Sequence, residues 1–456
     1  MLTSNASTWG RTRVPWRRFN IRVFFVGVCV LLAGASCPSE TARGPVSRSE
    51  RTGERLVLFF TGSELGALKP CGCSGGQLGG LSKRAAIFNA VPAQNRMILD
   101  AGDLVADDGE QDLIKFGVLL EAYQLLGYDV VHLTERDVEI GRSLGLLRGR
   151  DYAFEIISSH WDAIQENRPR SFRKQLTLRG RDVFVNVVTC DAQIDAAERA
   201  ATFFDSLPEA ANINVLVLLN SDSGVREPWA EQSGAHCLLC PIDSDDPQVL
   251  SEPGTKAMVF SPGRLGRHIV RLQVSWPESA AGPTLHFEDV PVEETLPEDE
   301  ALAQLYRQYQ QLVGESQLLE TYPRVPLPDD LRYVGSANCA SCHEYEYSRW
   351  KTKAHADAFA TLVKVGSDRD PECVICHVVG MDRASGFVTA EKTPEMKNVG
   401  CENCHGPGSE HVRTWGQAAT VEPKSTCLDC HTPEHSSGFA GHEAEYMQKI
   451  VHWREP

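Results

Sequence analysis

The chain has 456 residues, 42% of them hydrophobic and 23% charged, with a formal net charge of -16. That length is more than one hydrophobic core accommodates and predicts two or three domains. The acidic balance argues against nucleic acid and favours basic or redox partners.

Arg11, Arg13, Arg17, Arg18 and Arg22 precede an apolar run over 23–30 and a small-residue end at Gly34-Ala35-Ser36-Cys37. A basic start, a short apolar core and small residues predict a secretory signal over 1–37, with a run too short to span a bilayer. Cys37 resembles the lipidated cysteine of a bacterial lipoprotein, although Gly34 stands where that motif usually has leucine. Lipid anchoring and simple secretion to the periplasm or cell envelope are both open. Residues 38–55 are polar with Gly, Pro and Ser and read as a linker.

The apolar, β-rich run 56–61 predicts a buried strand. A glycine-rich loop over 71–85 turns into a helix, 97–103 predicts a strand, 114–126 a helix and 128–131 another strand. The pattern continues through 183–189 and 215–219 and closes at 257–260 and 269–274. Strands alternating with helices predict a largely parallel sheet covered on both faces.

Four stretches carry a family resemblance: Gly79-Gly80-Leu81-Ser82-Lys83-Arg84, Leu99-Asp100-Ala101-Gly102-Asp103, Gly127-Tyr128-Asp129 and Ser261-Pro262-Gly263-Arg264-Leu265-Gly266-Arg267. They resemble the N-terminal metallophosphoesterase domain of the periplasmic 5′-nucleotidase family over residues 56–290. The resemblance implies an α/β nucleotidase-like (metallophosphoesterase-type) sheet domain. It also implies a two-metal site, from which this chain departs. Thr61-Gly62-Ser63, Glu135-Arg136, Asn220-Ser221-Asp222 and Cys240-Pro241-Ile242 stand near the family's ligand positions, and Asp103 alone matches. Two-metal hydrolysis needs several ligands to fix both ions about 3.5–4 Å apart. The domain therefore reads as degenerate, with phosphoesterase activity not expected.

Cys71 and Cys73 lie where the glycine-rich loop meets a helix, whose N-terminal dipoles lower a thiol pKa. They are the catalytic candidates of the domain, and the loop resembles that of nucleotidase-like proteins with cysteine or selenocysteine at its first position. In an exported protein, Cys71/Cys73 and Cys237/Cys240 also read as disulfides, within or between the pairs. Cys190 reads as a buried small apolar residue, and Arg264 and Arg267 as an anion clamp or plain surface. A helix follows over 298–320 and a proline-rich stretch over 322–328 stops it. Residues 291–330 are thus a helix and linker, and 331–456 a separate domain.

In that last segment Cys-x-x-Cys-His occurs four times: Cys339/Cys342/His343, Cys373/Cys376/His377, Cys401/Cys404/His405 and Cys427/Cys430/His431. Two thiols three positions apart can add to the two vinyl groups of one haem, and the next imidazole reaches its iron. Zinc and disulfides are the rival readings, but a zinc ribbon needs no histidine after every second cysteine. Four covalently bound c-type haems are expected, forming the core of a mainly α, haem-packed multihaem cytochrome c domain. Five further histidines, His355, His411, His435, His442 and His452, are candidates for the far side of the irons.

Trp350-Lys351-Thr352-Lys353-Ala354-His355-Ala356, and Gly400-Cys401-Glu402-Asn403-Cys404-His405-Gly406-Pro407-Gly408 followed by His411, resemble the tetrahaem cytochrome c554 family over residues 333–431. The resemblance implies three irons with two histidines each and one without a protein distal ligand, and it makes His355 and His411 distal ligands. The family's third distal histidine precedes the fourth motif, where this chain has none. His442 or His452 is the expected replacement, ahead of His435. The leading expectation is an exported electron carrier between a redox donor and acceptor. The alternatives are an oxidoreductase acting on a small nitrogen oxide or similar molecule at an open haem, and a thiol-redox enzyme using Cys71 and Cys73.

Overall fold

The computed structural model describes residues 55–454 except 71–75, 149, 162–168, 179, 209–210, 220–221, 277–281, 422–425, 433–434 and 437. The signal region with Cys37, and the Cys71/Cys73 candidates, lie outside the described residues.

In chain order the strands are β1 Leu56–Thr61, β2 Arg96–Asp100, β3 Val130–His132, β4 Glu155–Ile157, β5 Ser171–Leu178 and β6 Arg181–Cys190. They continue with β7 Asn212–Leu218, β8 Cys237–Leu239, β9 Gln248–Val249, β10 Met258–Ser261, β11 His268–Ser275 and β12 Thr284–Pro291. The helices among them are α1 Leu81–Asn89, α2 Glu110–Leu126, α3 Glu135–Ser143, α4 Ala197–Asp205, α5 Ser223–Gln232 and α6 Glu300–Glu315. Local chemistry sets several ends. Gly127, left-handed at φ 71°, closes α2, Thr134 and Asp137 form a capping box on α3, and the Asp299 carboxylate accepts from the N–H groups of Ala301 and Leu302 to start α6.

One sheet was expected, but the strands form two of six each, ordered β12-β11-β1-β2-β3-β4 and β5-β6-β7-β8-β10-β9. Both are mixed rather than largely parallel, since β11, β12, β5 and β9 join antiparallel. They pack face to face through Leu56, Leu58, Phe60, Met97 and Leu99 from one and Val183, Val185, Val187, Val215 and Phe260 from the other. Helices α1, α2, α3 and α6 cover the outer face of the first sheet, and α4 and α5 that of the second. α6 is part of this core rather than a lead-out: Leu302, Leu305, Tyr309 and Val313 are buried against α2.

The four stretches that carried the nucleotidase resemblance converge beneath the first sheet. Arg84 donates from Nη1 and Nη2 to Glu64 at 2.7 and 2.6 Å, both side chains being 0% exposed. Tyr128 OH lies 2.9 Å from Thr61 Oγ1, which donates to Asp100 at 2.6 Å, and Tyr123 OH donates to the same carboxylate at 2.9 Å. Burial, and then the Glu64 carboxylate, push the Asp100 pKa up. At Gly266, φ 56°, an added Cβ would stand 1.6 Å from Arg84 Nη2.

His132 ends β3, fully buried, its Nδ1 2.8 Å from the Ala101 carbonyl. Burial holds its pKa down to about 4. The unfolded chain therefore takes up this proton first, below about pH 6.5, so the contribution is intact above that pH and is lost as pH falls towards 4. It amounts to on the order of 3 kcal/mol. His132→Gln should flatten the fall in urea midpoint between pH 7 and 4.5; an unchanged fall would count against this assignment.

After α7, Leu318–Thr321, the C-terminal segment is made of short helices: α8 Ser336–Cys339, α9 Glu344–Trp350, α10 Ala358–Val365, α11 Pro371–Val374, α12 Cys401–His405, α13 Ser409–Arg413 and α14 Glu443–Ile450. It was expected to have no apolar core of its own. Instead Leu319, Phe359, Leu362, Val374, Val378, Val379, Met381, Phe387 and Met396 form one around the second motif. Their scattered spacing has no strand or helix period, which hides them in the sequence. No helix among the described residues is long and apolar enough to cross a membrane.

Candidate haem-binding site

Positions i, i+3 and i+4 share one face of a helical turn, and the first, third and fourth Cys-x-x-Cys-His motifs are wound as such a turn, while in the second His377 N donates to Val374 O at 2.8 Å. His343 N donates to Cys339 O at 2.9 Å, and His431 N to Cys427 O at 2.8 Å. The third motif is α12 itself. Two thiols and an imidazole thus leave each of those three turns on one side.

The turns pack on one another. The Cys401 thiol pKa is lowered first by a hydrogen bond with Cys339, and that of Cys430 is raised first by one with Cys376. Cys401 N also donates to Ser336 Oγ of α8 at 3.1 Å, so the third motif adjoins the first, and it packs against the turn of the fourth as well. Glu402, 3% exposed, accepts from Val334 N at 3.0 Å and from Gly335 N and Gly408 N at 2.7 Å each. Asn403 Nδ2 donates to Val378 O at 2.8 Å, and Trp350 donates Nε1–H to Val399 O at 3.1 Å. Sequence reasoning passed over Glu402 and Asn403, since they fill the variable positions of a motif.

The histidines are also brought together. The rings of His343 and His411 have centroids 6.0 Å apart at 26°, and those of His355 and His431 6.3 Å apart at 39°. Imidazole nitrogen binds a first-row metal at about 2 Å, so two rings on opposite sides of one ion have centres roughly 6 Å apart. Burial lowers the His405 pKa, and the neighbouring His452 and His343 lower it further, which places His452 beside the third motif. His442 is 58% exposed, with Nδ1 3.3 Å from Glu445 Oε1.

A metal-binding imidazole usually donates its other N–H to a fixed acceptor. His377, His411 and His452 have Nδ1 at 2.7, 2.8 and 2.9 Å from the carbonyls of Ala358, Ala418 and Ile450, and His431 has Nδ1 3.0 Å from Ser436 Oγ. Each keeps Nε2 for an iron, and the residues fit haem.

The sheet-domain candidates are placed differently. Cys237 faces the layer between the sheets and Cys240 the outer face of the second, so they do not bridge each other as expected: positions three apart along a strand point to opposite faces. Burial pushes the Cys237 and Cys190 thiols up to about 12. Arg264 and Arg267 form no anion clamp, since Asp245 holds them at 2.8 and 2.7 Å. Asp103, at φ 57°, donates its N–H to Asp137 Oδ2 at 2.8 Å, and no cluster of three or more His, Cys, Asp or Glu arranged for a metal ion occurs among the described residues.

These features define a c-type cytochrome segment joined to an α/β sheet domain. Residues 338–406 match the family model for cytochrome c554 and c-prime. Cytochrome c-554 of Nitrosomonas europaea is 31% identical over 156 residues, 26% of this chain; the chain spans 66% of that relative's length. The solved reduced-state cytochrome c554 from the same organism is similar to 27% of the chain, over 85% of its own, with 24% identity and a TM-score of 0.23. A 5′-nucleotidase precursor from Thermus thermophilus is similar over 68% of this chain and 67% of its own, at 17% identity and a TM-score of 0.47.

Proposed function

We propose that this chain is an exported tetrahaem c-type cytochrome that passes electrons between a redox donor and acceptor. The observation that carries the reading is the pairing of imidazoles across iron-sized gaps beside the Cys-x-x-Cys-His turns. Haem supplies a centre that gains and loses one electron.

The chain's own residues do the rest. Cys339, Cys342, Cys373, Cys376, Cys401, Cys404, Cys427 and Cys430 hold the macrocycles, with His343, His377, His405 and His431 on the proximal side. His411 would hold the iron of the first motif opposite His343, His355 that of the fourth opposite His431, and His452 is the distal candidate for the third. Fixed Nδ1 partners on His377, His411, His431 and His452 would keep those four rings from turning. The third motif's turn adjoins those of the first and the fourth, which would keep the centres close enough for electrons to move along the array.

The signal over 1–37 and covalent haem attachment support export, and the charge of -16 supports a basic partner surface. The test is a haem count per chain on the matured protein, followed by reductive titration. Four haems, all reversibly reduced, are expected; bound zinc, or fewer than four haems, would overturn the reading.

A further inference from the structure

The second haem motif is fastened to the sheet domain. Asp370, 5% exposed, starts α11 by accepting from Glu372 N at 3.0 Å. The same carboxylate accepts from Gln111 Nε2 of α2 at 2.7 Å and from Tyr309 OH of α6 at 2.9 Å. Gln111 Nε2 also reaches Tyr309 OH at 2.8 Å, closing a ring of three side chains from three elements. One turn along α2, Lys115 Nζ contacts both Glu372 oxygens at 2.5 and 2.6 Å. The Lys115 side chain is 7% exposed and that of Glu372 54%. Gly66 leaves room for the lysine, since a Cβ there would stand 2.9 Å from Lys115 Cδ. Gln310 of α6 adds bonds to Val365 O at 2.8 Å and Ser367 Oγ at 2.9 Å.

Glu372 immediately precedes Cys373. A carboxylate beside a haem favours its ferric, more positive state, and a cation favours the ferrous state; burial and local charge are among the protein's levers on potential. We propose that Gln111, Lys115 and Tyr309 are positioning residues for the second haem, with Lys115 offsetting Glu372 to set that haem's potential apart from the other three. The sheet domain would then serve as an electrostatic seat for one redox centre. This rests on the tetrahaem reading above.

The test is a spectroelectrochemical titration of the full-length holoprotein. Lys115→Met should move one of four transitions to lower potential and Glu372→Gln should move the same one higher, with the double variant near the parent. Glu372 is half exposed, so Glu372→Gln gives the answer even where Lys115→Met fails to load haem. Tyr309→Phe, which removes only the hydroxyl, should broaden or shift that transition alone. Unmoved transitions, or all four moving together, would overturn the proposal while leaving a four-haem chain intact. A parent chain with fewer than four haems would overturn the reading beneath it, and the proposal with it.

Discussion

Arg84→Met is expected to cost about 3–5 kcal/mol of stability, the usual range when one partner of a buried ion pair is removed. Arg84 and Glu64 are both 0% exposed and joined by two parallel hydrogen bonds. Without the guanidinium, the Glu64 carboxylate would remain in a dry layer beside Asp100, whose pKa burial and Glu64 already raise. The chain would relieve this by protonating a carboxyl or admitting water. Replacing both partners, as in Arg84→Met with Glu64→Leu, should recover most of the loss, because hydrophobic groups of similar volume often replace a buried pair at little cost. Urea unfolding of the three variants beside the parent decides it: a single variant losing under about 1 kcal/mol would mean that solvent reaches the pair.

His411→Ala is expected to give the ferrous protein one more carbon-monoxide-binding iron than the parent. His411 lies with its ring centroid 6.0 Å from that of His343, and its Nδ1 is anchored 2.8 Å from Ala418 O, so no rotation brings another donor into its place. Loss of one of two histidine ligands opens the sixth position on that iron. His442→Ala is the matched control: its side chain is 58% exposed beside Glu445, and its spectrum should follow the parent's. A carbon monoxide spectrum of His411→Ala identical to the parent's would remove His411 from the ligand set.

Much of this was legible in the sequence because it depends on short-range chemistry. The spacing of Cys339, Cys342 and His343 puts three groups on one helical turn wherever that turn sits, and the run Leu56–Thr61 is a buried strand in any sheet. The same holds for the cap at Asp299 and the stop at Gly127. The four stretches that pointed to a nucleotidase-like domain were legible too, although their shared reason was not. Arg84, Asp100, Tyr128 and Gly266 are far apart in the chain and meet only in the fold, where they preserve a buried charged network.

Tertiary structure decided what the periodicities leave degenerate. Val183, Val185 and Val187 on β6 and Leu56, Leu58 and Phe60 on β1 are alike apolar, so hydrophobic pattern cannot say which strands share a sheet; pairing across the chain does. Among the histidines after the fourth motif, identity and spacing do not distinguish His442 from His452. The distinction comes from the fold, which sets His452 beside His405 of the third motif and leaves His442 58% exposed. Sequence by itself thus determined the covalent chemistry of the haem motifs and the class of the sheet domain. Folding alone decided the pairing of ligands and the seat of the second motif on Gln111, Lys115 and Tyr309, because these rest on contacts between residues far apart in the chain.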